Sequence, residues 1–186
     1  MFLQTIRENL KIFIFLLLIL LLVGFYTVKI IYDRHTFVNE NTREIFSDKD
    51  DKTTYYTDLN GNSVSLEQYL GKILVVNSWA SWSPFSSTEL TSLQALAKNY
   101  DKNDIVFLAI NRKESREQAQ RFVNTLPELT NLQVVIDIND HFYSSVGGYA
   151  MPETIIYNNK GDLIEHIHGT LKKEDVEAKL NELLER

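Results

Sequence analysis

The chain contains no cysteine among its 186 residues. That removes disulfide bonds, thiolate metal ligands and thiol nucleophiles together, and it says nothing positive about redox compartment. Positive charge is also in short supply. Nineteen Lys and Arg stand against 25 Asp and Glu, for a net charge of −6, so a nucleic-acid partner has no electrostatic support. Several signatures are missing as well. No G-x-S-x-G elbow is present, and Gly147-Gly148 is not followed by the G-K-[ST] of a phosphate loop. The acidic cluster Asp48, Asp50, Asp51 lacks the Gly and later Glu of a calcium loop, and "DINDHF" from Asp137 departs from that pattern at its fifth and sixth positions. There is no internal repeat and no low-complexity tract, and no cofactor is indicated.

What is present begins with a long apolar run. "IFIFLLLILLLVGFYTV", Ile12–Val28, holds 17 residues without a charge and spans about 26 Å as a helix. Extended through Tyr32, with Lys29 able to snorkel, it reaches roughly 30 Å, the thickness of a bilayer core. It is apolar on every face, unlike a surface helix of a soluble domain. No small-x-small cleavage site follows Val23, which favours an uncleaved signal anchor over a signal peptide. The expected organisation is therefore a short tail over 1–11, a membrane anchor over 12–32, a polar tether over 33–52 and one folded domain over 53–186. The flanking Lys and Arg do not decide orientation.

Within the domain, "TTYYTDLNGNSVSL" reads as strand, Asn60-Gly61 turn and strand. "SLEQYLGK" is a short helix capped by Ser65 and ended by Gly71. "KILVVNSWA" and "DIVFLAIN" are continuous apolar runs, as strands buried on both faces require. "SPFSSTELTSLQALAKNY" has Leu90, Leu93, Leu96 and Ala97 at helical spacing. "ESREQAQRFVNTL" predicts a helix with Ala119, Phe122 and Val123 inward, and "LQVVIDI" a further strand. A helical turn, a loop and a hairpin turning at Asn158–Gly161 follow. The last helix is capped by Thr170, with Val176, Leu180 and Leu183 inward. Strands alternating with helices predict an α/β sandwich around a central sheet.

The turn after the first buried strand, "NSWASWSPFSSTEL", resembles the active-site segment of thioredoxin-fold proteins. It is most similar to the membrane-anchored TlpA/ResA/DsbE branch, with its W-A-x-W-C-x-x-C-x-x-E pattern. Trp79, Ala80, Trp82, Pro84 and Glu89 match. "VGGYAMPETIIYNNKGDLIEHIHG" resembles a second family segment through Gly148, Pro152, Glu153, Thr154 and Gly161. The resemblance implies a thioredoxin-like three-layer α/β fold with a central mixed sheet, extracytoplasmic placement, a cis peptide before Pro152, and an acid at Glu89 that assists proton transfer. It also implies thiol–disulfide oxidoreductase chemistry, and there the sequence departs. Ser83 and Ser86 stand where the family has its two cysteines. A hydroxyl cannot replace a thiolate in thiol–disulfide exchange, so the chain as written runs no dithiol cycle.

Ser83 and Ser86 read first as capping residues, with Ser83 at the N-cap before Pro84 and Ser86 and Glu89 at capping-box spacing. A serine nucleophile would need a nearby base, and none is visible in sequence. Glu89 reads as charge compensation at the helix N-terminus, close to the former active site. Trp82, Phe85, Tyr149 and Met151 are candidates to line an apolar groove beside Pro152, where an extended peptide or an envelope protein would bind. They serve equally as core or rim. His166 and His168 share one strand face and could form a metal pair, but no third ligand stands at fixed spacing, so an exposed polar face is expected and no metal. His35 and His141 are isolated. Two functional readings remain: a non-catalytic binding or scaffold module held at the membrane, and a thiol–disulfide oxidoreductase of cytochrome c maturation or envelope redox type whose cysteines were replaced by engineering.

Overall fold

The computed structural model describes residues 2–46 and 56–185, and the chain divides into two compact units, Met1–Val38 and Asn39–Arg186. The first unit is helical. Helix α1 runs Phe2–Ile45 and carries an apolar stretch, Phe13–Asp33, long enough to cross a membrane. None of that stretch is buried by protein, as a lipid-facing helix requires. Residues 33–45, read from sequence as tether, continue the same helix. The rest of that tether and the start of the domain, residues 47–55, lie outside the described residues, including the Asp48–Asp51 cluster.

The second unit is built on one seven-stranded mixed sheet in the order β2-β1-β5-β4-β3-β6-β7. A hairpin, β1 (Tyr56–Asp58) and β2 (Ser63–Val64), forms one edge. Its turn is closed by Asp58, whose carboxylate accepts the Asn60 and Asn62 N–H groups, and by Gly61 at φ +88°. β3 (Ile73–Trp79), β4 (Ile105–Arg112) and β5 (Gln133–Asp137) are parallel. β6 (Glu153–Tyr157) lies antiparallel to β3, and β7 (Leu163–His168) antiparallel to β6.

Alternation along β3 explains the layers. Ile73, Val75 and Trp79 face a core completed by α2 (Ser86–Ala97), α3 (Arg116–Val123) and α5 (Lys173–Leu184), where Leu90, Leu93, Leu96, Ala119, Val176 and Leu180 are buried. Leu74 and Val76 face a second core with Leu66, Phe142 from α4 (His141–Ser145), Val146 and Tyr157. Phe46, just beyond α1, belongs to that core and packs edge-on against Tyr157 at 5.1 Å. The folded domain thus recruits a residue earlier than the expected boundary at 53. The 3₁₀ turn Leu66–Tyr69 starts as expected, with Ser65 Oγ accepting the Glu67 N–H.

Two expected caps are absent. α2 begins at Ser86 behind Phe85, without a side-chain cap. The chain first makes a turn in which the Ser83 N–H donates to Ala80 O and the Ser86 N–H to Ser83 O, so Ser83 precedes the helix rather than capping it. α5 begins behind Lys172, not Thr170. The intervening residues are occupied: Gly169 N–H donates to Pro152 O, and Leu171 N–H to the Glu89 carboxylate. The chain therefore cannot turn helical at Thr170.

Candidate functional site

The site is assembled at the ends of two neighbouring strands. Ser78 of β3 pairs with Glu153 of β6. One residue further, β3 runs into the Trp79–Phe85 segment while β6 is preceded by the cis Met151–Pro152 bond. The sheet register thus brings together the two blocks that stand about 70 residues apart in sequence. Trp79 and Ala80 are fully buried, and Trp79 packs on Phe122 of α3 at 5.3 Å. Ser81 is tied down by Glu114, a buried carboxylate that sequence reasoning missed. Glu114 accepts the Ser81 N–H at 2.8 Å, the Ser81 hydroxyl at 2.5 Å, Asn111 Nδ2 at 2.7 Å and Gln118 Nε2 at 2.6 Å. Asn111 and Gln118 lie three and four residues from Glu114, but both Ser81 donors stand 33 residues away, and only folding brings them near.

Ser83 and Ser86 are both buried, and neither Oγ has a hydrogen-bond partner. The capping reading therefore fails at both positions, and so does any nucleophile–base pair, since no base reaches either hydroxyl. Two buried, unpaired hydroxyls three residues apart are unusual. Such positions suit a small apolar side chain with a weak donor, which is how a buried cysteine behaves.

Glu89, one turn into α2, is also buried. Its Oε1 accepts from Asn77 Nδ2 at 3.3 Å, Thr154 Oγ1 at 3.4 Å and Leu171 N at 3.3 Å. Burial pushes its pKa up to about 7, and these long hydrogen bonds lower it only in part. Glu89 is therefore not a solvated charge at the helix end, as the sequence suggested, but a desolvated acid beneath the turn. It links α2, β3, β6 and the β7–α5 connection.

The apolar candidates divide. Pro152 is buried and Met151 half-buried, whereas Trp82 is 62% exposed, Phe85 51% and Tyr149 62%. Outside α1, the described residues include only six exposed large hydrophobics, and these three are half of them. They sit on the turn and on the loop leading into Pro152, so they form its rim rather than core.

On the opposite face of β6 lies a cluster that the sequence did not disclose. Glu153 is fully buried. Its Oε1 accepts the Tyr149 N–H at 2.8 Å and the Ala150 N–H at 2.7 Å, which fixes the loop before Pro152. His166 Nε2 lies 2.9 Å from Oε2, and His168 Nδ1 lies 3.0 Å from Oε1. Burial alone would raise the Glu153 pKa, but His166, His168 and the two backbone donors outweigh it and hold the acid down at about 2. The histidines therefore do not line a plain exposed face. They pack against a carboxylate supplied by the neighbouring strand, and His168 stacks under Tyr149 at 4.1 Å.

Comparison with known proteins agrees with this architecture. The Redoxin family profile matches residues 45–184. The chain belongs to the redoxin family. It is 30% identical over 131 residues to the thiol-disulfide oxidoreductase ResA of Geobacillus kaustophilus, covering 68% of this chain and 72% of that protein. It is 34% identical over 129 residues to the thioredoxin-like protein YneN of Bacillus subtilis, covering 66% and 72%. The pneumococcal exposed lipoprotein thioredoxin Etrx1 of Streptococcus pneumoniae superposes with a TM-score of 0.61 at 23% identity, over 68% of this chain and 96% of that one. This redoxin thus combines the fold of its thiol–disulfide oxidoreductase relatives with a Trp-bearing turn, a buried acid and a cis-proline loop, and it carries no cysteine.

Proposed function

We propose that this redoxin is a membrane-anchored, extracytoplasmic binding module that works without dithiol chemistry. The observation that carries the proposal is the turn itself: the framework around it is complete, yet both thiol positions hold buried, unpartnered serine hydroxyls. No residue within reach converts either into a nucleophile. What the site presents outward is an aromatic rim of Trp82, Phe85 and Tyr149 around Met151 and Pro152. Such a surface suits an extended peptide segment of an envelope protein, with the aromatic faces supplying the contact area. α1 supplies the anchor.

The test is photocrosslinking in native membranes from a probe at Phe85 or at Met151. One discrete adduct shared by both positions, and absent from a probe at remote Lys160, is expected. Solvent-quenched product alone at both positions would remove the binding proposal. Enzyme assays on the serine protein discriminate nothing, since every reading expects no turnover.

A further inference from the structure

We propose that Glu153, His166 and His168 form a binding site for one divalent transition-metal ion of the zinc class. The sheet places them. His166 and His168 alternate along β7 and so share a face, and Glu153 is the registered partner of His168 on β6. One ligand atom from each residue can be chosen so that all three lie within 4.8 Å of one another. Donors bound at zinc's usual lengths stand about 3.3 Å apart in a tetrahedron. His166 Nε2 is 2.9 Å from Oε2 and His168 Nδ1 is 3.0 Å from Oε1, so each ring already faces one oxygen of the same carboxylate, and rotation of the carboxylate and the rings brings one donor from each residue onto a single ion.

The donor chemistry is specific. Two imidazoles and one carboxylate match a borderline ion such as Zn²⁺ rather than an oxygen-seeking ion such as Ca²⁺ or Mg²⁺. Three protein ligands leave a fourth position for water, as in open zinc sites. The carboxylate is also oriented from behind, because the Tyr149 and Ala150 N–H groups hold Oε1 and leave Oε2 directed to His166. Such outer hydrogen bonds are what a ligating carboxylate requires. Access runs past His168, whose side chain is the most exposed of the three at 29%, against 13% for His166 and 0% for Glu153. Because Glu153 holds the loop entering Pro152, an ion here would stiffen that loop.

The test uses the full chain in detergent without an affinity tag, stripped with chelator and titrated with Zn²⁺ against a chromogenic competitor. One equivalent per chain is expected. His166→Ala and His168→Ala should each weaken binding by at least on the order of 100-fold, while His35→Ala and His141→Ala leave it unchanged. Co²⁺ in the unaltered chain gives a check that needs no variant: hyperfine-shifted proton signals from two imidazole rings. Absence of a bound equivalent, binding that survives the β7 substitutions, or Co²⁺ signals from fewer than two rings would each overturn the site.

Discussion

Glu89 is a desolvated acid beneath the turn that follows β3. Its carboxyl group is buried under a turn that has no thiol to protonate, and burial holds its pKa near 7 rather than the ordinary 4.5. Between those two values the folded chain binds a proton that the unfolded chain has released. Linkage then requires stability to fall as pH rises through that window, and the cost stays in full above it. Glu89→Gln removes the titration while keeping the shape and an oxygen acceptor. Urea denaturation from pH 4 to pH 8 should therefore show the wild type losing on the order of 2 kcal/mol relative to Glu89→Gln as the pH rises. Asp137, whose pKa burial also raises, titrates in both proteins and cancels in the comparison. Parallel stability curves for the two proteins would show that Glu89 is solvated in the folded state.

At the scale of elements, the turn after β3 is held by Glu114 rather than by a helix cap. Four donors converge on that carboxylate, among them the backbone N–H of Ser81. Glu114→Ala should strip hydrogen-exchange protection from the Ser81 amide and cost about 2–3 kcal/mol, because donors on half-buried Ser81 and buried Asn111 are left unpaired. Unchanged protection at Ser81 would mean that the turn is kept by its apolar contacts alone. The same region shows what a sequence can and cannot convey. The strands, the helices and the identity of the turn were legible, because apolar runs and helical spacing are local signals. A Ser-Pro start and a Thr near a helix are equally local signals, whereas the start at Ser86 follows the turn closed on Ala80 O and Ser83 O, and the start at Lys173 is set by where Pro152 O and Glu89 take their hydrogen bonds. Glu153 could not be joined to His166 and His168 by spacing, since their meeting depends on the register of β6 with β7.

For the whole molecule, the reading of a membrane-type segment was legible because seventeen uncharged residues need no partner to be recognised, while the continuation of α1 through Ile45 was not, since polar residues 33–45 carry no apolar stripe. Placement of the domain is the remaining question, and the charge flanking the segment does not answer it. The lack of cysteine makes the measurement clean, because a single introduced thiol is the only one in the chain. Lys160 lies exposed in the β6–β7 turn, away from the aromatic rim and from the Glu153 cluster. In intact cells of the source organism, Lys160→Cys should react with a membrane-impermeant maleimide without lysis, and the labelled chain should stay with the membrane through alkaline carbonate extraction. Labelling only after lysis would put the domain in the cytoplasm, where the rim would meet a different set of partners. Extraction by carbonate would deny α1 the role of an anchor and leave the aromatic rim as the chain's means of attachment.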